Sequence, residues 1–378
     1  MTEWKEYKLG EIASFRTGKL NSNAAVENGK YPFFTCSPIT LSIDEYAFDQ
    51  KAILLAGNNA EGNFCIKYYE GKFNAYQRTY IIESNESKCN LKFLYYSLIL
   101  CLQEFKNISQ GTSTRFLTAV ILNNFKLMLP SLDTQLCISA ILSSLDDKID
   151  LLHRENATLE AMAETLFRQW FVVEAKEEWE EGKLGDYVEL VNGVSYKGDE
   201  LQPSNVAMVT LKSFDRNGGF RMDGYKEFTG KFKKEQVLYD GDLVVAHTDI
   251  TQEADVIGNP VIVIGKNQYE TITFSMDVVK VVSKSEFFSN SFLYYLMKTQ
   301  AFKEHCLGYA NGSTVLHLSK KAIPEFEFHI PPKIIAQSFQ KQVESINKKI
   351  LNNNNEIQTL IQTRDGLLPR LMSGEINV

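Results

Sequence analysis

The chain of 378 residues contains no apolar run of about 18 residues, and its first nine residues are charged rather than apolar. Neither a membrane-spanning helix nor a secretory leader is expected, and the chain is read as soluble and cytoplasmic. Its six cysteines (Cys36, Cys65, Cys89, Cys101, Cys137, Cys306) form no Cys-x-x-Cys pair, so buried, reduced thiols are expected rather than disulfides or zinc ligands. The five histidines (His153, His247, His305, His317, His329) lack metal-ligand spacing. Positive charge is not in excess: 40 Lys and Arg against 47 Asp and Glu leave a net charge of −7. A nucleic-acid partner would therefore need a locally basic surface. Residues 1–130 hold 14 basic against 12 acidic side chains, a balance of +2, whereas residues 131–178 hold 4 against 10.

Catalytic signatures are missing too. Gly57-Asn-Asn-Ala-Glu-Gly62 has phosphate-loop spacing, but Asn63-Phe64 stands where Lys-Ser/Thr would hold phosphate and Mg²⁺, so a plain turn is expected. Gly265-Lys266 has the lysine without the preceding glycine. Pro331-Pro332 follows His329-Ile330, which is not the Asn/Asp context of an amino-methyltransferase motif. Asp249, Glu253 and Asp255 have no lysine placed beside them by sequence, so a nuclease centre is the weaker reading. A non-catalytic chain is expected. The acidic residues Asp146, Asp147, Asp150, Glu160 and Glu164 are read as solvated groups on a helix exterior, the obvious candidates for partner docking.

What the chain does have is a repeat. Trp4-Lys-Glu-Tyr-Lys-Leu-Gly returns 175 residues later as Trp179-Glu-Glu-Gly-Lys-Leu-Gly. Gly111-Thr-Ser-Thr precedes Leu129-Pro130 as Gly312-Ser-Thr precedes Ile330-Pro331, at an offset of 201. A period this long suits a duplicated domain rather than a solenoid. The 26-residue difference between the two offsets (201 minus 175) falls in the second copy. Each copy mixes short β-branched runs (Ala52 to Ala56, Thr79 to Ile82, Leu243 to Ala246, Val261 to Ile264, Val278 to Val282) with an aromatic helix. The Phe-Leu-Tyr-Tyr of that helix, at 93–96 and 292–295, is read as core packing.

Each copy then enters a long heptad-like segment. Leu142, Leu145, Ile149, Leu152, Asn156, Leu159, Ala163, Leu166 and Trp170 alternate spacings of three and four. Adding 201 gives Val343, Ile346, Ile350, Asn353, Ile357, Leu360, Arg364, Leu367 and Leu371. About 35 residues at 1.5 Å each make a helix of roughly 50 Å. If the copies are related by a pseudo-two-fold axis, the helices pair antiparallel. In layers whose residue numbers sum to 509, Asn156 then meets Asn353 and fixes the register.

This order of module, long helix, module and long helix resembles the specificity subunit of type I restriction-modification systems. The residues carrying the likeness are Trp4 to Ile12, Gly111 to Pro130, Asp146 to Phe171, Lys183 to Asp186, Gly312 to Pro331 and Leu367 to Ile376. The resemblance implies an α+β chain with target-recognition domains at 1–132 and 176–331. They would be separated by an antiparallel coiled-coil spacer of two helices, 133–175 and 332–378. Each domain would read one half of a bipartite target in double-stranded DNA. Two methyltransferase (modification) subunits and the restriction (motor nuclease) subunits would be the partners, carrying S-adenosylmethionine, ATP and Mg²⁺. No membrane is involved.

Base and phosphate contacts need Arg, Lys, Asn, Gln or hydroxyl groups on loops. In the first module the candidates are Lys19, Asn58, Asn59, Asn63, Gln77, Arg78, Ser113, Thr114 and Arg115. In the second they are Lys197, Lys212, Arg216, Lys231, Lys233, Lys234, Thr248, Asp249, Ser313 and Thr314. Two other readings stay open. One is a recognition fragment of a fused methyltransferase and restriction enzyme, against which the start at Met1-Thr-Glu-Trp4 sets an expectation. The other is a coiled-coil scaffold with no DNA role.

Overall fold

The computed structural model describes residues 4–216, 218–251, 253–265, 268–286 and 288–378. Lys266 and the first three residues, on which two of the readings above touch, lie outside them. The chain folds as two compact units, residues 1–150 with 359–378, and residues 151–358, so each unit contains part of both long helices. Both units are mixed α/β. Among the described residues no helix is long and apolar enough to cross a membrane.

Unit 1 is built on a six-stranded sheet in the order Ala13–Thr17, Thr79–Ser84, Phe48–Ala56, Ile66–Ala75, Tyr31–Phe34, Leu41–Ile43. Its central strand is buried continuously from Ala52 to Ala56 because both sheet faces are covered. Ile53 and Leu55 join the cluster formed with the aromatic helix Leu91–Leu100. Ala52 and Leu54 point the other way, into Phe34, Phe73 and Ile81. Asn90 caps that helix by accepting the amide of Phe93 at 3.0 Å.

Unit 2 repeats the plan with shorter strands. Its four-stranded sheet runs Val188–Asn192, Val278–Ser283, Leu243–Ala246, Pro260–Ile262, and a smaller sheet holds Val206–Val209 parallel to Thr271–Phe274. The helix Asn290–Met297, capped by Ser289, buries Phe292, Leu293, Tyr294 and Tyr295.

The repeated sequence openings are now explained as strands. Lys5–Lys8 pairs antiparallel with Lys126–Leu129, and Glu181–Lys183 pairs with Glu327–His329, so each module closes its start onto its end. Gly18 and Gly193, again 175 apart, pack against backbone. A Cβ there would lie 1.8 Å from the Ala75 carbonyl oxygen and 2.1 Å from that of Ser275.

The long helices are Leu132–Arg168, followed by a π-type turn over Gln169–Val173, and Lys333–Met372. No member of either heptad row is exposed. In unit 1, Arg364 donates to Asp146 at 2.8 Å. In unit 2, Phe167 packs on Phe339 with ring centroids 5.4 Å apart, and Asn353 donates to Asn156 at 2.8 Å. Rising numbers on one helix meet falling numbers on the other, which makes this stretch antiparallel. Asn156 also donates to Asn354 at 2.9 Å, so the polar layer has three amides rather than two.

Two expectations need correction. All six cysteines are free, but only Cys89 and Cys306 are buried. Cys137 is exposed because it sits off the packed face of its helix. Burial pushes the Cys89 and Cys306 thiols up to about 12. Nor are the acidic helix residues all solvated. Tyr96 donates to Asp146 at 2.6 Å. Glu160 accepts from Tyr294 at 2.6 Å and Lys298 at 2.9 Å, and Lys298 also pairs with Glu164 at 3.0 Å. These carboxylates bind the tyrosines of each aromatic helix, which satisfies phenols that their burial would otherwise strand.

Candidate nucleic-acid interface

In unit 1 the central strand ends at Ala56, and the chain turns into Asn58–Asn59, which pairs with Arg115–Phe116. The Gly57–Gly62 segment, expected as a plain turn, and the Gly111 turn therefore form one corner. Gly111 has φ 106°, a left-handed conformation that suits glycine, and Gln110 bridges to Phe116 to close the hairpin. Asn59 holds the loop by accepting the amides of Glu61 at 2.9 Å and Asn63 at 3.0 Å. Lys106, from the helix Leu102–Ile108, donates to the Asn63 side chain at 2.8 Å.

Other candidates gather here. The Arg78 guanidinium lies 5.4 Å from the Phe116 ring centroid. Arg115 donates to the Ser109 carbonyl at 3.2 Å. Asn58 accepts from the Cys36 thiol at 3.0 Å, and Gln77 donates to Asn21 at 2.7 Å. Ser113 on the hairpin and Lys19 next to the Leu20–Tyr76 bridge are exposed; Thr114 is half-buried. Arg78, Lys106 and Arg115 bring three cations to the corner, and Glu61 accepts from the Asn63 side chain there at 3.0 Å.

Unit 2 builds the same corner from different residues. After the strand Leu243–Ala246, Thr248–Asp249 pairs with Leu316–Leu318, which forms a hairpin with Ala310–Asn311. Gly312 sits in that hairpin with φ 137°, and Ser313 and Thr314 are exposed at its turn. Asp249 occupies the place of Asn59, and its carboxylate accepts the Thr251 amide at 2.9 Å and hydroxyl at 2.8 Å, the Val256 amide at 2.7 Å and the Ile257 amide at 3.1 Å. Lys303, from the helix Gln300–Gly308, donates to the carbonyls of Ala254 and Ile257 at 3.0 and 2.7 Å and to the Asn259 side chain at 2.8 Å. Burial lowers the affinity of this ammonium for its proton, with the Asp249 charge acting against it.

Thr248 and Asp249 are turned inward and shape the loop. Asp249 is buried, and Thr248 is buried with its hydroxyl donating to Asp277 at 3.1 Å. Among its described residues the loop displays Ile250, which is 71% exposed, and Glu253. Arg216 reaches Asp255 of the same loop at 3.4 Å. Lys197, Lys212, Lys231, Lys233 and Lys234 are exposed on segments that belong to neither loop nor hairpin. Among the described residues no group of His, Cys, Asp or Glu could hold a metal ion, and Asp255 is engaged by Arg216.

Sequence reasoning missed Lys106, Lys303 and Ile250. A signal was present: Phe105-Lys106 recurs as Phe302-Lys303, 197 residues on, with both phenylalanines buried.

A family model for the type I restriction modification DNA specificity domain matches residues 1–161 and 176–363. The chain is 39% identical over 169 residues to the EcoDI specificity subunit of a type I restriction enzyme from Escherichia coli, covering 44% of this chain and 36% of that protein. It is 26% identical to the HindI specificity subunit of Haemophilus influenzae over the full length of both. The fold is similar to that of the S subunit of a type I restriction-modification system from M. genitalium, with a TM-score of 0.59 and 18% identity over 98% of this chain and 96% of that one. The chain belongs to the type I restriction modification DNA specificity domain family. Its class is the non-catalytic, sequence-recognising component of such systems.

Proposed function

We propose that each unit's loop-and-hairpin corner reads one half of a bipartite site in double-stranded DNA, within a complex that methylates and restricts that DNA. The observation carrying this is the duplicated corner. An Asx-anchored loop, a glycine hairpin and a lysine from the same helix recur on different sequences, as two readers of different half-sites require. The long helices act as an antiparallel coiled-coil spacer with pseudo-two-fold symmetry that fixes half-site separation. The amide layer of Asn156, Asn353 and Asn354 supports that register. Two modification subunits dock around the spacer, the restriction subunits join them, and S-adenosylmethionine, ATP and Mg²⁺ reside on those partners.

Salt dependence tests the reading in the assembled complex. If six to ten phosphates are neutralised, affinity for a target duplex falls by roughly 10³–10⁵ between 50 and 200 mM salt. A flat response points instead to a scaffold with no DNA role.

A further inference from the structure

The loop after Asp249 is more tightly built than a surface connection needs to be. Four hydrogen bonds converge on the buried Asp249 carboxylate and three radiate from Lys303. Ala254 is held at φ 57°, a left-handed conformation that costs a non-glycine residue of order 1 kcal/mol. A lone exposed isoleucine on an ordinary surface needs no explanation. Here the fixed loop presents Ile250, 71% exposed, where it adds nothing to the unit's own core. Beside it Arg216 pairs with Asp255 of the same loop, Glu253 is exposed, and His317 lies opposite Thr248 on the adjoining strand. In a DNA groove the apolar mark on a base edge is the C5 methyl of thymine, displayed in the major groove.

We propose that Ile250 is a specificity-determining residue of the second module, reading a thymine methyl in its half-site, with Asp249 and Lys303 as positioning residues. The assignment rests on the DNA-reading function proposed above. It explains why the polar residues expected to read bases at 248 and 249 face inward.

The test uses the assembled complex and its target duplex, identified by methylation profiling. Each thymine of the second half-site is replaced in turn by deoxyuridine, which lacks only the methyl. One replacement should weaken wild-type binding about four-fold, the ratio for burying one such group. Ile250→Ala should bind the thymine duplex at least four-fold more weakly and be insensitive to that same replacement, with first half-site specificity unchanged. If wild type separates target from scrambled duplex but Ile250→Ala responds to every replacement as wild type does, the Ile250 assignment is wrong and DNA reading stands. Loss of methyltransferase binding by Ile250→Ala, with the affinity of the intact complex for DNA unchanged, assigns the residue to a protein contact and overturns it. A wild-type complex that cannot separate target from scrambled duplex overturns both readings.

Discussion

The two corners share a frame and differ in how firmly it is tied. In unit 1 a neutral Asn59 holds two amides of a short exposed loop, and Lys106 adds one bond to an exposed Asn63. In unit 2 a charged Asp249 holds four donors, two of them the amides of the buried Val256 and Ile257, and Lys303 adds three bonds. A longer excursion buries more backbone, and each buried amide costs about 1–3 kcal/mol if left unpaired. The longer loop therefore needs an ionised acceptor, whose hydrogen bonds are roughly twice as strong as neutral ones.

Removing the anchors should break the symmetry most visibly. Asp249→Ala strands the Val256 and Ile257 amides and should destabilise unit 2 by about 2–4 kcal/mol. Asn59→Ala, whose two amides can turn to water, should cost unit 1 under about 1 kcal/mol. Thermal unfolding with amide exchange at Val256 and Ile257 measures the difference, and equal losses would show that the two anchors are equivalent. Burial pushes the Asp249 carboxyl up, but the bonds from Val256, Thr251 and Ile257 outweigh it and hold it below its ordinary 3.8. A carboxylate depressed in the folded state contributes fully above the unfolded value and loses that contribution as pH falls through the folded value. Asp249→Asn should therefore be less stable than wild type at neutral pH and converge with it in strong acid.

The frame was legible in the sequence where a period wrote it. The heptad rows lie on the two long helices, where their 3.5-residue period places them, and the β-branched runs and aromatic segments form strands and helices. The orientation of the corner residues was not. Leu243–Ala246 is buried on both faces, so no alternation of apolar and polar residues exists to carry forward to Thr248 and Asp249. The anchoring lysine was hidden for another reason. Its partners are mostly backbone carbonyls 46 and 49 residues away, and a carbonyl leaves no mark on composition. The acidic helix looked solvated for the same cause, since the tyrosines on Asp146 and Glu160 lie 50 and 134 residues off.

The lysines give a smaller contrast. Lys303→Met removes a charged donor from three partly buried oxygens and should cost about 1–2 kcal/mol, while Lys106→Met should stay within about 0.5 kcal/mol. Denaturant midpoints of the two variants make the comparison. If Lys106→Met costs as much, that lysine supports more of unit 1 than its single bond to Asn63.

The smallest stability effect is expected at the loop tips, and it is the sharpest test of what the corners share. Ala60 follows Asn58-Asn59 as Ile250 follows Thr248-Asp249, and both tips are exposed. Ala60→Ile should change stability by no more than about 0.5 kcal/mol, as surface substitutions do. If the corners are equivalent readers, methylation profiling of the assembled complex should show an altered first half-site with the second half-site retained. Ile250→Ala should do the converse. A changed second half-site in Ala60→Ile would mean that the tip of unit 1 does not act on its own half of the target, and the equivalence of the two corners would fail at the residue that leaves the paired strand in each.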